Sequence, residues 1–247
     1  MMVGFSDNNF PPVAAFSFIA DISYPSELCS SIFLSRCNLR CPFCINRNLV
    51  EGECAKTVDV EKLLARLVLR QEKTVVISGG EPFFHSNVEN LFEAIKRAGM
   101  KVAVATNGSF PERMIAAVEE NLIDHVIMDI KTVVDRDAYS RAVGRKLSDE
   151  LFQKILESVD FLQHGPSYKP SCEFRTTVCT KFVSRKDLSS IVEFLGHDII
   201  YVLQPFTTHQ TLDPYLADSR YTVPFSTLEQ WARELAEKVF LCFVREV

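Results

Sequence analysis

The chain has 247 residues, of which 47% are hydrophobic, and carries a formal net charge of −5. That length and apolar content suit one large folded domain and exclude global disorder. The acidic balance and lack of a long basic run argue against nucleic acid as a partner, and no apolar run approaches the roughly 18 residues that span a bilayer.

In chain order, residues 1–24 are mixed and proline-containing and are expected to wrap one end of the domain. Their apolar part lacks a basic flank, so it makes a poor secretory signal. Eight unevenly spread cysteines do not look like a disulfide framework, so a reduced, cytoplasmic setting is expected. Ile32-Phe33-Leu34 reads as a buried strand running into a loop that carries Cys37, Cys41 and Cys44. Thiolates this close repel one another unless a metal centre absorbs their charge, and soft sulfur ligands suit zinc, copper(I) or an iron–sulfur cluster. A cubane has one iron more than this local set of thiols, so one corner would lack a protein ligand.

Beyond the loop, strand and helix patterns alternate. Thr57 is placed to cap a helix with Val60, Leu63, Leu64, Leu67 and Val68 on one face. A strand over 74–78 ends in Gly79-Gly80, and Ser86 with Glu89 is spaced as a capping box for a helix ended by Gly99. A strand over 102–106 precedes Asn107-Gly108, and Pro111 suits the first turn of a helix running to about Asn121. The strand 125–130 leads into a polar connection (132–147) and a helix bearing Leu151, Phe152, Ile155, Leu156 and Val159. A strand over 173–178, a helix capped by Ser184 and Asp187 and closed by Gly196, and a strand over 199–204 follow. Ser226 and Glu229 are spaced to box the last helix, and 240–244 adds a short strand.

Six strands each followed by a helix imply a parallel sheet, since parallel neighbours need crossovers. A barrel, an open barrel and a doubly wound sheet all fit the pattern, and in each the ligand sits at the carboxyl ends of the strands. The polar and glycine-rich residues gather at those ends: the cysteines, Gly79-Gly80-Glu81-Pro82, Asn107-Gly108, Asp129 with Lys131, and Gln204-Pro205.

Cys-x-x-x-Cys-x-x-Cys with Phe43 before its last cysteine, then Gly79-Gly80-Glu81-Pro82 one strand later, resembles the radical S-adenosylmethionine (SAM) superfamily. The resemblance runs from about Asp21 to Gln204. It implies an α/β fold, a partial (β/α)6 TIM-like barrel forming a single domain over 1–247, with a core of about 21–206 and a C-terminal helix and tail over 207–247. It implies a 4Fe–4S cluster on Cys37, Cys41 and Cys44, with the amino and carboxylate groups of SAM filling the fourth iron. Gly79, Gly80 and Glu81 would hold the SAM ammonium, with Pro82 fixing the turn; Asn107 would contact the methionine or ribose. Asp129 and Lys131 share one face of a strand and would face SAM or the substrate. Arg175, with Thr177 on the same face, would aim at the SAM carboxylate or ribose, and Gln204 would lie near the adenosine. An arginine inside an apolar strand also demands a partner. A zinc site remains an alternative, with Cys54 or Cys29 as fourth ligand, though neither has zinc-ribbon spacing. Arg36 and Arg40 flank the cysteines, either to offset cluster charge, to face a redox donor, or simply as solvated residues. The remaining cysteines read as small buried hydrophobes.

Within the superfamily, Asp21-Ile22-Ser23-Tyr24-Pro25, the residues after Cys44, and Leu203-Gln204-Pro205-Phe206 with Thr211-Leu212-Asp213-Pro214 are similar to activating proteins of anaerobic ribonucleoside-triphosphate reductases. One departure is Ile45-Asn46, where those relatives commonly have His-Asn. The implied chemistry is reductive cleavage of SAM to a 5′-deoxyadenosyl radical, which takes the α-hydrogen of one glycine on a partner such as anaerobic ribonucleotide reductase. Flavodoxin or ferredoxin is the implied electron donor. Two rivals are a radical SAM enzyme for a small molecule, such as a 7-carboxy-7-deazaguanine synthase, and a non-catalytic iron–sulfur or zinc module.

Overall fold

The computed structural model describes residues 9–24, 27–52, 58–165 and 170–245. Its frame is one eight-stranded sheet whose strands lie side by side in chain order. Strand β1 (Val13–Tyr24) pairs antiparallel with β2 (Glu27–Leu34). All later neighbours are parallel: β3 (Thr74–Gly79), β4 (Lys101–Thr106), β5 (His125–Asp129), β6 (Ser171–Val178), β7 (Ile200–Pro205) and β8 (Leu241–Val244). Doubly wound sheets reverse strand order at a switch point. This order never reverses, so the fold is the open, partial barrel. The partial-barrel expectation holds; β8 is the short strand expected over 240–244, and β1 at the other edge is a strand the sequence did not show.

Each crossover carries a helix because its apolar residues recur at helical spacing. Helix α1 (Arg47–Glu51) follows the cysteine loop, and α2 (Val60–Leu69) buries Val60, Leu63 and Leu67. Then come α3 (Val88–Arg97), α4 (Pro111–Glu119), α5 (Arg136–Ala142), α6 (Asp149–His164), α7 (Arg185–Leu195) and α8 (Phe225–Leu235). Most of the core lies between strands and helices. A separate small cluster, Cys29, Val76, Ala103 and Ile127, fills the barrel interior with short side chains. Among the described residues no helix is long and apolar enough to cross a membrane.

Several local expectations need correction. Residues 13–24 do not wrap an end; they form β1, where Phe16 and Phe18 lie under the Arg66 guanidinium at 5.5 and 4.8 Å. The 132–147 connection contains α5, opened by Asp135, whose carboxylate accepts from the Ala138 amide at 2.8 Å. Asp59, not Thr57, caps α2, and Thr57 lies outside the described residues. Ser86 caps nothing: Asn87 is the α3 cap and makes no side-chain cap bond, while Glu89 is drawn 2.6 Å from Arg113 rather than back to the helix start. Ser226 falls inside α8, because Pro224 already sets its start. The Ser184–Asp187 capping box forms as expected, and Pro111 opens α4.

Candidate active site

The loop from Ser35 to Asn46 leaves the carboxyl end of β2 and is held in place by main-chain bonds from several elements. Arg36 N–H donates to Leu49 O (2.6 Å), Arg40 N–H to Val143 O (3.0 Å) and Glu81 N–H to Arg36 O (2.9 Å). On its other side Leu212 N–H donates to Cys44 O and Asp213 N–H to Pro42 O, both at 2.9 Å. Arg36 adopts φ 66°, a left-handed conformation that costs a non-glycine residue about 1–3 kcal/mol. The surrounding contacts hold it there, turning the chain toward the cysteines.

Cys37, Cys41 and Cys44 all line a cavity of about 530 Å³ at the carboxyl ends of the strands, within the range of ligand pockets. Burial pushes the Cys37 thiol up to about 11 and the Cys41 thiol up to about 12, and raises Cys44 as well. Such thiols give up their protons only to a strong cation. Lys131 supplies part of that compensation, since its charge pulls all three thiols back down. Among the described residues, no three Cys, His, Asp or Glu side chains close on a point as ligands of a single metal ion. A cubane takes its thiolates at separate corners, so three thiols that share one cavity without closing on a single point suit it. Cys29 is buried inside the barrel and does not line the cavity; Cys54 lies outside the described residues.

The Gly-Gly-Glu-Pro turn abuts this loop. Gly79 has φ +103°, and a Cβ on Gly80 would sit 1.7 Å from Arg36 O and 2.5 Å from Arg36 C. Only glycine lets the two backbones meet so closely. Gly80→Ala is therefore expected to cost about 3 kcal/mol, the upper end for overpacking, and to lower Tm by roughly 6–12 °C in a thermal melt. An unchanged melting curve would contradict the packing described.

Glu81 is 1% exposed, and its carboxylate accepts from Thr106 Oγ1 (2.8 Å), the Asn107 amide (2.7 Å) and the Phe83 amide (3.2 Å). Burial pushes the carboxyl up to about 7 against those three donors. The acid thus ties the end of β4 to the turn, and Pro82 opens the short 3-10 turn Pro82–Phe84 without lining the cavity. Asn107 lines the cavity, but its amide donates to Asn38 Oδ1 (3.0 Å) and to Cys37 Sγ (3.8 Å). It touches the cysteine loop as well as the cavity.

Inward-facing residues of successive strands complete the lining: Asp129, Arg175, Thr177 and Gln204, with Lys131 just beyond β5. Lys131 Nζ lies 2.7 Å from Asp129 Oδ2. Burial pulls its ammonium down, but Asp129 and Cys41 outweigh that and hold it charged. Arg175 finds the partner its burial demands in Glu173, to which its Nε donates. Glu173 is fully buried and also accepts from Arg245 at 2.6 and 3.1 Å. His125 sits 4.0 Å away, and burial pushes it down to about 4. Gln204 Oε1 accepts from Thr177 Oγ1 at 3.5 Å, and the Phe43 ring lies 5.6 Å from that of Phe182.

Of the expected site residues, all but Pro82 line one cavity. Missed by the sequence reading were Asn46, whose amide donates to Gly79 O (3.1 Å), and the lining residues Ser17, Phe33, Ser78 and Phe206. Alternation on β2 and β3 marks Phe33 and Ser78 as inward; nothing in the sequence links Asn46 to Gly79.

Comparison with known proteins bears on the same residues. A glycyl-radical enzyme activating enzyme of Methanocaldococcus jannaschii, so named provisionally, is 29% identical over 197 residues, covering 79% of this chain and 80% of its own. A 7-carboxy-7-deazaguanine synthase of Hyperthermus butylicus is 38% identical over 79 residues, 32% of this chain and 34% of the relative. Among solved structures, Streptococcus suis SuiB bound to its precursor peptide SuiA superposes with TM-score 0.64 at 15% identity, over 88% of this chain and 48% of that one, a likeness of fold. The model of the Radical SAM superfamily matches residues 31–163, from the inner strand β2 to the end of α6. That is more than half of the chain and includes both the cysteine loop and the glycine turn. The chain therefore belongs to the radical SAM superfamily, whose cofactors, a 4Fe–4S cluster and S-adenosylmethionine, are the groups its three thiols and adjoining cavity fit.

Proposed function

We propose that this protein is a glycyl-radical enzyme activase, removing the α-hydrogen of one glycine on a partner such as an anaerobic ribonucleotide reductase. The observation that supports it most is the alignment with the Methanocaldococcus jannaschii activating enzyme, which spans about four-fifths of both chains rather than the cofactor core alone. The cavity suits the task too: Ile45 and Thr207 are exposed at its edge, so an extended segment of another protein has a way in.

In this reading Cys37, Cys41 and Cys44 hold the cluster, and Lys131 offsets part of its charge. When bound, the reduced cluster supplies the electron that cleaves SAM to methionine and a 5′-deoxyadenosyl radical. The chain's own residues bind and orient. Gly79 and Gly80 bring main chain close to the SAM ammonium, with Glu81 fixing the turn through Thr106 and Asn107. Arg175, steered by Glu173, takes the carboxylate or ribose, and Thr177 and Gln204 border the adenosine. Asp129 keeps Lys131 charged and faces the substrate side. The apolar walls, Phe33, Leu39, Phe43 and Phe206, exclude water from the reacting centre.

The test is anaerobic: reduced, reconstituted protein with SAM and a candidate reductase is expected to give a glycyl signal by electron paramagnetic resonance. The local match to 7-carboxy-7-deazaguanine synthase defines the second reading. Deoxyadenosine released with a small metabolite, and no radical on any protein, would favour it and remove the activase assignment.

A further inference from the structure

The resemblance implies a contact between Asn107 and the methionine or ribose of SAM, yet the side-chain amide of Asn107 is turned to the cysteine loop. Which way that amide lies is settled by a main-chain group. The Ser109 N–H, which can only donate, donates to Asn107 Oδ1 at 3.0 Å. The nitrogen end therefore faces the loop. Its two protons have two acceptors there, Asn38 Oδ1 at 3.0 Å and Cys37 Sγ at 3.8 Å. Asn38 is fixed in turn, since its own amide donates to Ser109 Oγ at 2.8 Å.

The main chain of Asn107 is anchored separately, its N–H donating to Glu81 Oε2 at 2.7 Å. Asn107 and Ser109 are 6% and 2% exposed, so water does not replace these bonds. Both amide protons are thus committed before any ligand enters the cavity. Cys37 Sγ also accepts from the Leu39 N–H at 3.4 Å, so two N–H dipoles converge on one sulfur. The Leu39 donor belongs to the main chain; the Asn107 donor is the one a side chain supplies. A reduced iron–sulfur centre carries one more negative charge than an oxidised one. Hydrogen bonds to its sulfurs favour that state and are among the factors that set its potential.

We propose that Asn107 raises the reduction potential of the cluster by donating an amide proton to the Cys37 sulfur, rather than binding SAM. The proposal rests on the reading that Cys37 is a cluster ligand, and it is independent of the activase assignment.

The test is an anaerobic redox titration of the reconstituted protein without SAM, with dithionite as reductant and the reduced cluster counted by electron paramagnetic resonance. One electron enters the cluster, dithionite is oxidised, and no bond to the protein forms or breaks. Asn107→Ala removes the donor. Asn107→Asp keeps the shape and the acceptor for the Ser109 N–H but turns an oxygen toward the sulfur. The reduction equilibrium is expected to fall about tenfold in the alanine variant, a midpoint lower by about 59 mV for one electron, and further in the aspartate variant. Ser109→Ala removes the Asn38 contact but keeps the N–H that orients Asn107, and should leave the midpoint unchanged. An unchanged or raised midpoint in either Asn107 variant that holds a full cluster would overturn the proposal. Weakened SAM binding by calorimetry in that same variant would then make Asn107 the SAM contact that the resemblance implies. Loss of the cluster from both variants would overturn it too, leaving Asn107 as a support of the loop. If the unaltered protein took up no iron, the cluster reading would fall with the proposal, whereas a missing glycyl signal beside an intact cluster would touch only the activase assignment.

Discussion

Alanine at Cys41 is expected to abolish the brown cluster absorbance and SAM cleavage together, while alanine at Cys172 leaves both intact. Cys41 is the most buried of the three cavity thiols, and burial pushes it up to about 12, so its thiolate forms only against a strong cation. The turn that closes Cys44 N–H on Cys41 O at 3.0 Å fixes the spacing of the last two thiols. Removing the middle one leaves a buried, positively biased hollow beside Lys131 and only two donors. Altering a mere supporting group costs metal sites about 10–100-fold, so a lost ligand should exceed that range. Cys172 by contrast donates to Leu162 O at 3.6 Å and does not line the cavity. Iron content, the visible spectrum and deoxyadenosine yield after anaerobic reconstitution check this. Equal losses in both variants would mean that the ligand set has been misassigned.

Glu173→Ala is expected to be the most destabilising single change inside the barrel. Glu173 stands between Arg175 and Arg245, both buried, and is fully buried itself. Its removal strands two guanidinium groups in a medium of low dielectric, which costs about 3–5 kcal/mol when one partner of a buried pair is deleted. Arg245→Ala should cost less, because Glu173 keeps Arg175 as a partner. The order, Glu173→Ala worse than Arg245→Ala, is read from denaturant unfolding. SAM affinity should follow the same order, since Arg175 loses its orientation only in the first variant. If the two variants proved equally stable, the trio would not be acting as a unit.

The alternation of strands and helices was legible because each strand is a compact apolar run and each helix repeats its apolar face. The cysteines and the glycine turn were legible because their spacing has few other uses. What escaped lies where long-range partners decide. The period-two apolar pattern of β1 was obscured by Pro11 and Pro12 just before it and by its polar residues Ser17 and Asp21. Helix α5 is short and polar, and it hides its buried face in Tyr139 and Ala142. Ser86 and Glu89 had the right spacing for a box, but Arg113, 24 residues on, claims the carboxylate. The partner of Arg175 was two residues away on the same strand face, yet Arg245, 70 residues later, could only be found in space.

The bonds that frame the thiol loop, from Leu49, Val143, Glu81, Leu212 and Asp213, are all between main-chain atoms and use no sulfur. Removal of iron and sulfide is therefore expected to leave the backbone of the socket in place, so that refilling it requires no new round of folding.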